Sequence, residues 1–282
     1  MQNLPVCILS TFTDGDNAMP EYEAFLDIAM RAADVSRQIL TEHRQKYLRG
    51  NYDFKTKNDA SPVTETDERV EREIRSIISG AFPEHGMLGE EYGANAATAE
   101  YVWVIDPIDG TRQFIVGYPF YGTLIALCRN GIPVLGVVEM PVMAERWVGV
   151  KGRQSTVNGL PIQTRPHTDL ATALVASSNT EFVFDSDRAA YNHLIASTKW
   201  RVYGGACYGY MSLAAGKIDL CFDSGIMREV DYCALVPIIE GAGGVMSDWD
   251  GNPLTMHSGM QVLACGDHRL HEQVLREIKA HR

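Results

Sequence analysis

Hydrophobic positions recur at helical spacing in the N-terminal part of the chain. Between residues 20 and 48 apolar side chains return every three or four positions, which predicts a long amphipathic helix. The pattern stops over 51–62, where polar residues predominate and we expect a loop or a short hairpin. Thr66 is a candidate N-cap for a second helix, whose apolar face would carry Val70, Ile74, Ile77 and Ile78.

Short apolar runs then replace the helical spacing and predict strands. The Arg129-Asn130-Gly131 step between two of these runs is typical of a hairpin turn. The first half therefore predicts two helices followed by a largely antiparallel sheet. Its expected strands cover residues 87–91, 101–106, 121–128, 133–140 and 146–150.

The second half alternates apolar runs of strand and helix character, which implies a second α/β layer. A stretch rich in Gly, Pro and Thr between residues 150 and 170 marks the expected boundary. We therefore divide the chain into an N-terminal extension (1–19), an α+β sub-domain (20–160) and an α/β sub-domain (161–282). Strands are expected at 171–176, 218–222, 245–246 and 261–264, and helices at 186–198, 207–215, 230–242 and from His268 onward.

The most informative motif is Asp-Pro-Ile-Asp-Gly-Thr at residues 106–111, which directly follows the apolar run Tyr-Val-Trp-Val-Ile at 101–105. It puts the carboxylates of Asp106 and Asp109 at the end of a predicted buried strand. The amides of Gly110 and Thr111 follow at a predicted helix start. Carboxylates hold hard cations, and amides at a helix N-terminus hold anions. The motif therefore suits a metal-bridged phosphate.

Other acids stand at the ends of predicted elements and extend this hypothesis. Asp67 opens a helix, Glu90 ends a short strand, and Asp231 precedes an apolar helix that would turn its carboxylate inward. Each alone could be a cap or a solvated surface residue. Two magnesium ions about 3.5–4 Å apart can stabilise the attacking and leaving oxygens of an in-line displacement.

Charge and composition narrow the function further. The formal net charge is −11, which argues against a general binder of nucleic acids or anionic membranes. No apolar run approaches the roughly 20 residues that span a bilayer, and residues 1–19 have no basic segment ahead of their apolar patch, so no membrane span or secretory signal is expected. The six cysteines form no CxxC pair and are typical of small buried residues in a reducing cytoplasm.

The sequence lacks the motifs of several other enzyme classes. The sequence contains no GxSxG nucleophile elbow, no GxxxxGK[ST] phosphate loop and no HExxH zinc motif. The eight histidines are scattered along the chain. No cysteine or aspartate stands in a phosphoenzyme motif that would indicate a covalent intermediate.

The ordered motifs resemble the inositol monophosphatase-like family of magnesium-dependent, lithium-sensitive phosphatases. The resemblance covers roughly residues 20 to 280 and implies an α/β (α+β) sandwich layered αβαβα. Its elements occur in family order: Ser-Pro-Val-Thr-Glu-Thr-Asp at 61–67, Gly-Glu-Glu at 89–91, the 106–111 motif, and Asp231 ahead of Glu-Gly-Ala-Gly-Gly at 240–244.

The resemblance implies a centre of two to three magnesium ions, for which manganese is a possible substitute. Glu90, Asp106 and the Ile108 carbonyl would hold the first ion. Asp106, Asp109 and Asp231 would hold the second.

The resemblance also implies roles in turnover and in substrate binding. Glu90 and Asp67 would bind waters of a looser third ion, and Thr111 with Glu90 would orient the attacking water. The substrate would be a small phosphate monoester, and family members commonly form homodimers. The residues expected to contact the substrate are Lys57, Gly110, Thr111, Arg112, Gly205, Ala206, Cys207 and Asp223.

Within the family the chain is most similar to the histidinol-phosphate phosphatase branch, through Ser-Pro-Val-Thr at 61–64, Arg-Gln-Phe-Ile at 112–115 and Gly-Thr-Leu-Ile-Ala-Leu at 122–127. Some positions depart from that branch. Val230 replaces a Trp or Tyr, Ala206 replaces an acid, and Ser224 replaces another acid for which Asp223 could substitute. On the shared motifs, and despite these departures, histidinol phosphate leads as substrate. The alternatives are an inositol or broad sugar-phosphate phosphatase, then a 3′-nucleotide phosphatase, and last a metal-binding homologue without catalysis.

Overall fold

The computed structural model describes residues 20–48, 55–56 and 62–282. The predicted N-terminal extension (1–19) and Lys57 lie outside the described residues. The described part of the chain begins with helix α1 (Pro20–Tyr47), the strands β1 (Lys55–Thr56) and β2 (Pro62–Val63), and helix α2 (Glu65–Ala81). The expected pair of helices is confirmed, and where a loop or a short hairpin was expected between them, β1 and β2 pair antiparallel.

The start of α2 corrects one prediction. The N-cap is Thr64 rather than Thr66, because the Thr64 hydroxyl oxygen accepts hydrogen bonds from the amides of Thr66 and Asp67. The Asp67 carboxylate in turn accepts from the Thr64 amide, which completes a capping box. Thr66 lies in the first turn, and the helix starts two positions earlier than the pattern of apolar residues indicates.

The first sheet has eight strands in the order β10-β9-β8-β7-β6-β5-β3-β4. Neighbours are antiparallel except β3 and β5, which run parallel, so the expected mainly antiparallel sheet is confirmed. Its elements are β3 (Gly86–Gly89), β4 (Gly93–Asn95), β5 (Tyr101–Asp109), the short helix α3 (Thr111–Ile115), β6 (Gly122–Arg129), β7 (Ile132–Met140), β8 (Glu145–Val150), β9 (Thr156–Val157) and β10 (Leu160–Pro161).

The second sheet has five strands in the order β12-β11-β13-β15-β14. β11 runs parallel to β12 and β13, and β15 runs antiparallel to β13 and β14. The elements of this half are β11 (Leu174–Ser177), α4 (Arg188–Ala196), β12 (Trp200–Tyr203), α5 (Cys207–Ala214), β13 (Leu220–Ser224), α6 (Glu229–Tyr232), α7 (Leu235–Gly241), β14 (Val245–Ser247), β15 (Gln261–Cys265) and α8 (His268–His281).

Along each strand, successive side chains point to opposite faces of the sheet, and each face packs against a separate layer. On β5, Val102 and Val104 face the core that contains α5, α6 and α7, whereas Trp103 and Ile105 face the core under α1 and α2. On the second sheet, Phe222 faces a further core under α4 and α8. Because residues on one strand point to opposite faces in turn, both sheets are buried on two sides. The predicted αβαβα layering is confirmed.

Two details differ from the sequence pattern. The single helix expected at 230–242 is broken into α6 and α7, because Pro237 has no amide to donate to the carbonyl four residues earlier. The pattern also misses β12, an edge strand whose side chains are all exposed. In the sequence, the strands of the first sheet end before residues 162–173 and those of the second sheet begin after them. The proposed division into sub-domains stays a prediction. Among the described residues, no helix is both long and apolar enough to cross a membrane.

Candidate metal and phosphate site

A bulge at the end of β5 shapes the predicted motif. Asp106 pairs with Leu124 of β6 and Asp109 pairs with Gly122, so an extra residue is accommodated between them. One Asp106 carboxylate oxygen accepts a hydrogen bond from the Ile108 amide at 3.0 Å. The bulge thereby turns Asp106 and Asp109 to the same end of the strand.

The back of the bulge is fixed by buried hydroxyls. The Thr123 hydroxyl donates to the Pro107 carbonyl at 2.7 Å, and it also forms a short hydrogen bond with the Ser36 hydroxyl on α1. Both side chains are fully buried. Helix α1 and strand β6 therefore hold the backbone between Asp106 and Asp109 from behind.

Gly110 makes the turn into α3. Its φ of 84° is left-handed, and a Cβ there would lie 2.8 Å from the Phe120 carbonyl oxygen, so a side chain does not fit. Thr111 follows, and its hydroxyl donates to the Ile108 carbonyl at 3.1 Å. That bond uses one lone pair of the carbonyl that was predicted as a metal ligand, and a second lone pair remains.

Two further helices meet this end of β5: α5 brings a backbone amide, and α6 brings an acid. The Cys207 amide at the start of α5 donates to Asp109 at 2.5 Å, and the Arg228 amide donates to Asp231 of α6 at 2.6 Å. Asp106, Asp109 and Asp231 offer carboxylate oxygens that all lie within 4.8 Å of one another. The structure therefore brings together acids that are more than a hundred positions apart in the sequence.

Glu90 reaches the same place because β3 runs parallel to β5. Gly89 is level with Ile105, and the Glu90 amide donates to the Ile105 carbonyl at 3.2 Å. The turn after Glu90 is held by Glu71, a fully buried acid on α2 whose carboxylate accepts from the Glu91 amide at 2.7 Å.

The concentration of acids has clear electrostatic consequences. Burial raises the pKa of Asp106 well above its usual range, and repulsion from Glu90, Asp109 and Asp231 raises it further. Burial and the charge of Asp109 also raise the pKa of Asp231 well above its usual range. Burial raises the pKa of Asp109 as well, partly offset by its hydrogen bond from Cys207. Neighbouring acids of this kind are stabilised when cations neutralise them.

Asp67 gives a direct test of whether a cation fits. The side chain is fully buried, and burial raises the pKa of Asp67 to about 6 against its hydrogen bonds from Thr64. One of its oxygens, Oδ1, is buried without a hydrogen-bond partner among the described residues. The unpartnered Asp67 oxygen lies beside several other acids, and all of these side chains offer oxygen atoms as ligands. Such a set fits a hard divalent cation with its bound waters.

A cleft of about 460 Å³ opens above the acids. Among the predicted substrate contacts, Gly110, Thr111, Arg112 and Ala206 line this cleft. Gly205 instead borders a separate cavity of about 240 Å³ on the other side of the same turn. The Cys207 side chain is buried against Met140, and both its thiol and its amide interact with Asp109, but Cys207 does not line the cleft.

The structure does not bring Asp223 to the cleft. Its side chain is buried, and its carboxylate accepts hydrogen bonds from the Tyr210 hydroxyl at 2.7 Å, the Ser178 amide at 2.7 Å and the Ser177 hydroxyl at 3.1 Å. The reason lies in strand alternation, because Asp223 shares the face of Cys221, which packs into the core around α5. Asp223 therefore links β11 to α5 through hydrogen bonds and does not contact a substrate in the cleft.

One wall of the cleft is formed by residues that no sequence motif indicates. Ser178, Asn179 and Phe182 line it in the segment that follows β11. The Arg112 guanidinium lies 4.8 Å from the centre of the Phe182 ring and 3.3 Å from the Glu181 carboxylate, so it ties this segment to the motif. The available signal was a polar run directly after a predicted strand, since ligands often bind beyond the carboxyl ends of strands.

Comparisons with known proteins agree with this geometry. The profile of the inositol monophosphatase family matches residues 21–282. The bifunctional phosphatase IMPL2, chloroplastic, of Arabidopsis thaliana is 38% identical over 270 residues, which cover 93% of this chain and 77% of that protein. The histidinol-phosphatase of Chlorobaculum parvum is 34% identical over 230 residues, which cover 80% of this chain and 86% of that protein.

A solved structure extends the likeness to the fold. An inositol monophosphatase from Zymomonas mobilis superposes with a TM-score of 0.82 at 39% sequence identity, over 92% of this chain and 98% of that one. The match of sequence profile, curated relatives and architecture runs through the whole described core. This chain belongs to the inositol monophosphatase family and is a phosphoric monoester hydrolase.

Proposed function

We propose that this chain is a magnesium-dependent phosphatase of small phosphate monoesters whose leading substrate is L-histidinol phosphate. The observation that carries the proposal is the convergence of Asp106, Asp109 and Asp231 within 4.8 Å at the floor of a cleft. Oxygen donors alone favour magnesium over softer metals, and manganese is a possible substitute.

The metal would be held by Glu90, Asp106, Asp109 and Asp231 together with the Ile108 carbonyl. When bound, magnesium would supply positive charge against the charge that develops on the ester oxygens and would make water a better nucleophile. Asp67, with its orphaned oxygen, would accept hydrogen bonds from the water around the ions.

The other groups of the site would position the reactants. Because the Thr111 hydroxyl donates a hydrogen bond to the Ile108 carbonyl, its oxygen is left to accept a hydrogen bond from the attacking water, which Thr111 and the Glu90 carboxylate would orient together. The Gly110 and Thr111 amides, at the start of α3, would hold the phosphate oxygens. Attack on phosphorus then breaks the bond to the alcohol oxygen and releases alcohol and inorganic phosphate.

The walls of the cleft bear on the alcohol part of the substrate. Phe182 and Met227 offer apolar surface to a flat ring such as imidazole, and Glu181 offers a carboxylate at the rim, where Arg112 holds it. Ala206 carries no acid, so an ammonium group would depend on acids such as Glu181. The similarity to the named histidinol-phosphatase of Chlorobaculum parvum supports this substrate.

An inositol or broad sugar-phosphate phosphatase is the second candidate, favoured by the likeness to the Zymomonas mobilis inositol monophosphatase. The two candidates differ in kcat/KM for L-histidinol phosphate and for inositol 1-phosphate, measured with the same protein in excess magnesium. We expect the ratio of the first to the second to exceed one. A ratio below one would contradict the proposal that histidinol phosphate is the leading substrate.

Asp106→Asn tests the metal site independently of substrate choice. Since Asp106 would contact both ions, we expect turnover to be abolished while the fold is retained, and retention of more than about a tenth of the wild-type rate would contradict the role. The exposed Asp27 on α1 gives a matched control, whose Asn variant should keep full activity. Phosphate release with and without magnesium separates both enzymes from a homologue that has lost catalysis.

The homodimer and the cytoplasmic location stay predictions. Sedimentation of the full chain at micromolar concentration measures the first, and localisation of the tagged protein measures the second.

A further inference from the structure

We propose a second metal site, for a transition metal of the zinc class, formed by His193, Glu277 and His281. His193 lies on α4, and Glu277 and His281 lie four positions apart on α8. These helices form the outer layer beyond the second sheet, so the proposed site is separate from the acidic cleft. The candidate ligand atoms of all three side chains lie within 4.8 Å of one another.

The contacts among the three side chains fix their chemistry. His193 Nε2 lies 2.7 Å from the Glu277 carboxylate, and because a carboxylate only accepts, that nitrogen carries a proton. His281 Nδ1 lies 2.9 Å from the Glu277 carbonyl oxygen, so Nδ1 is the donor there and Nε2 of a neutral His281 keeps its lone pair. A hydrogen bond from one imidazole nitrogen to a carbonyl is the usual support of a ligating histidine.

The two imidazole rings are stacked, with centroids 3.5 Å apart and planes 12° apart. In the described part of the chain, no lysine or arginine forms an ion pair with Glu277. Its carboxylate is thus matched only by the two imidazoles, as expected of a ligand set rather than of a surface salt bridge.

Binding would require a small local change. The stacked rings must tilt so that their lone pairs converge, and His193 must change tautomer, with its proton moving from Nε2 to Nδ1 so that Nε2 of the neutral imidazole can bind the metal. The side chains of His193, Glu277 and His281 are 30%, 34% and 39% exposed, so an ion can reach them and water can complete the coordination. The bound ion would join α4 to α8.

The donor set separates this site from the acidic cleft. Two imidazole nitrogens and one carboxylate suit zinc, cobalt, nickel or copper, and disfavour magnesium. Cobalt is the most informative probe, because tetrahedral cobalt bound to nitrogen absorbs visible light much more strongly than cobalt surrounded by six oxygens.

The experiment uses the full chain in excess magnesium, titrated with Co²⁺ for visible absorption and with Zn²⁺ for thermal unfolding. We expect one strong cobalt band and a zinc-dependent rise in Tm in the wild type and in Asp106→Asn. Both His193→Gln and His281→Gln should weaken these effects at least about tenfold while magnesium-dependent phosphatase activity is unchanged. His268→Gln, on the same helix and 72% exposed, is the matched control and should behave as the wild type.

Two results would overturn the proposal. One is a cobalt spectrum and zinc stabilisation that persist in both His193→Gln and His281→Gln. The other is their loss in Asp106→Asn alone, which would place the ion in the acidic cleft. Should His193→Gln fold poorly, His281→Gln in the last turn of α8 decides the question by itself.

Discussion

The carboxylate of Glu71 accepts a hydrogen bond from the backbone amide of Glu91 at 2.7 Å and thereby links helix α2 to the turn that presents Glu90. The same carboxylate accepts from the Tyr92 amide at 3.2 Å and from the Arg75 guanidinium at 2.7 Å. Glu71 lies one helical turn after Asp67, so both acids share one face of α2. The helix thus supplies one acid, Asp67, to the group of acids around Asp106 and another to the turn beside it.

Glu71→Gln should weaken metal binding at the acidic cleft. The glutamine keeps the shape of the side chain, but its NH₂ group cannot accept from a backbone amide, so the turn carrying Glu90 loses a bond. We expect the magnesium concentration that gives half-maximal activity to rise by about tenfold or more, as is usual when a group supporting a metal ligand is lost. Magnesium titrations of the phosphatase rate measure this shift.

Glu73→Gln is the matched control, since Glu73 lies on the same helix with its side chain 45% exposed. Its magnesium dependence should equal that of the wild type. If Glu71→Gln lowers the Tm but leaves the half-saturating magnesium concentration unchanged, Glu71 supports the fold only.

Thr123→Val removes the hydroxyl that fixes the Pro107 carbonyl at the back of the bulge. Valine has nearly the same shape, so we expect the fold to persist while Asp106 and Asp109 lose their fixed separation. Small displacements of reacting groups are costly, and kcat should fall by about tenfold to a hundredfold. Thr123→Ser keeps the hydroxyl and should restore most of the rate. Equal rates for the Val and Ser variants would argue against this role.

Much of the site could be predicted from local sequence. Asp106 and Asp109 stand out because charged residues directly after a buried strand need a reason to be there. Glu71 could also have been found, since a charge beside Val70 and Ile74 on the apolar face of a helix demands a buried partner.

Other features depend on elements far apart in the chain. The bond from the Cys207 amide to Asp109 joins residues 98 positions apart, and no local pattern indicates it. Asp223 is an intermediate case. Its position on a strand fixes its face by alternation with Phe222, but its partner Tyr210 follows only from the packing of α5 against β13. Local signals thus locate the acids, and tertiary packing decides which of them face the cleft.

Asp223 also predicts a pH dependence of stability. Burial raises its pKa to about 6 from 3.8, outweighing the hydrogen bonds from Tyr210, Ser178 and Ser177. The folded protein therefore holds this proton more tightly than the unfolded chain, so its stabilisation is full below the unfolded pKa and is lost as pH rises through about 6. The contribution should fall by about 1 kcal/mol between pH 5 and pH 8.

Urea unfolding of the wild type and of Asp223→Asn at both pH values measures this contribution. The stability difference between the two proteins should shrink as pH rises, because the asparagine does not titrate. The exposed Asp27→Asn variant should show no such change relative to the wild type. A difference that is constant from pH 5 to pH 8 would show that Asp223 stays in one protonation state across this range.

The acids of the cleft predict that magnesium binds more tightly at higher pH. Burial, and then repulsion among the acids, raises the pKa of Asp106 and of Asp231, so protons occupy these carboxyls at pH values where exposed aspartates are ionised. Protons and magnesium then compete for the same oxygens. Between pH 6 and pH 8 the half-saturating magnesium concentration should fall, by up to about tenfold per pH unit for each proton displaced. Magnesium titrations of activity at fixed ionic strength test this, and a half-saturating concentration that is constant or rises with pH would show that the acids are already ionised before the metal binds.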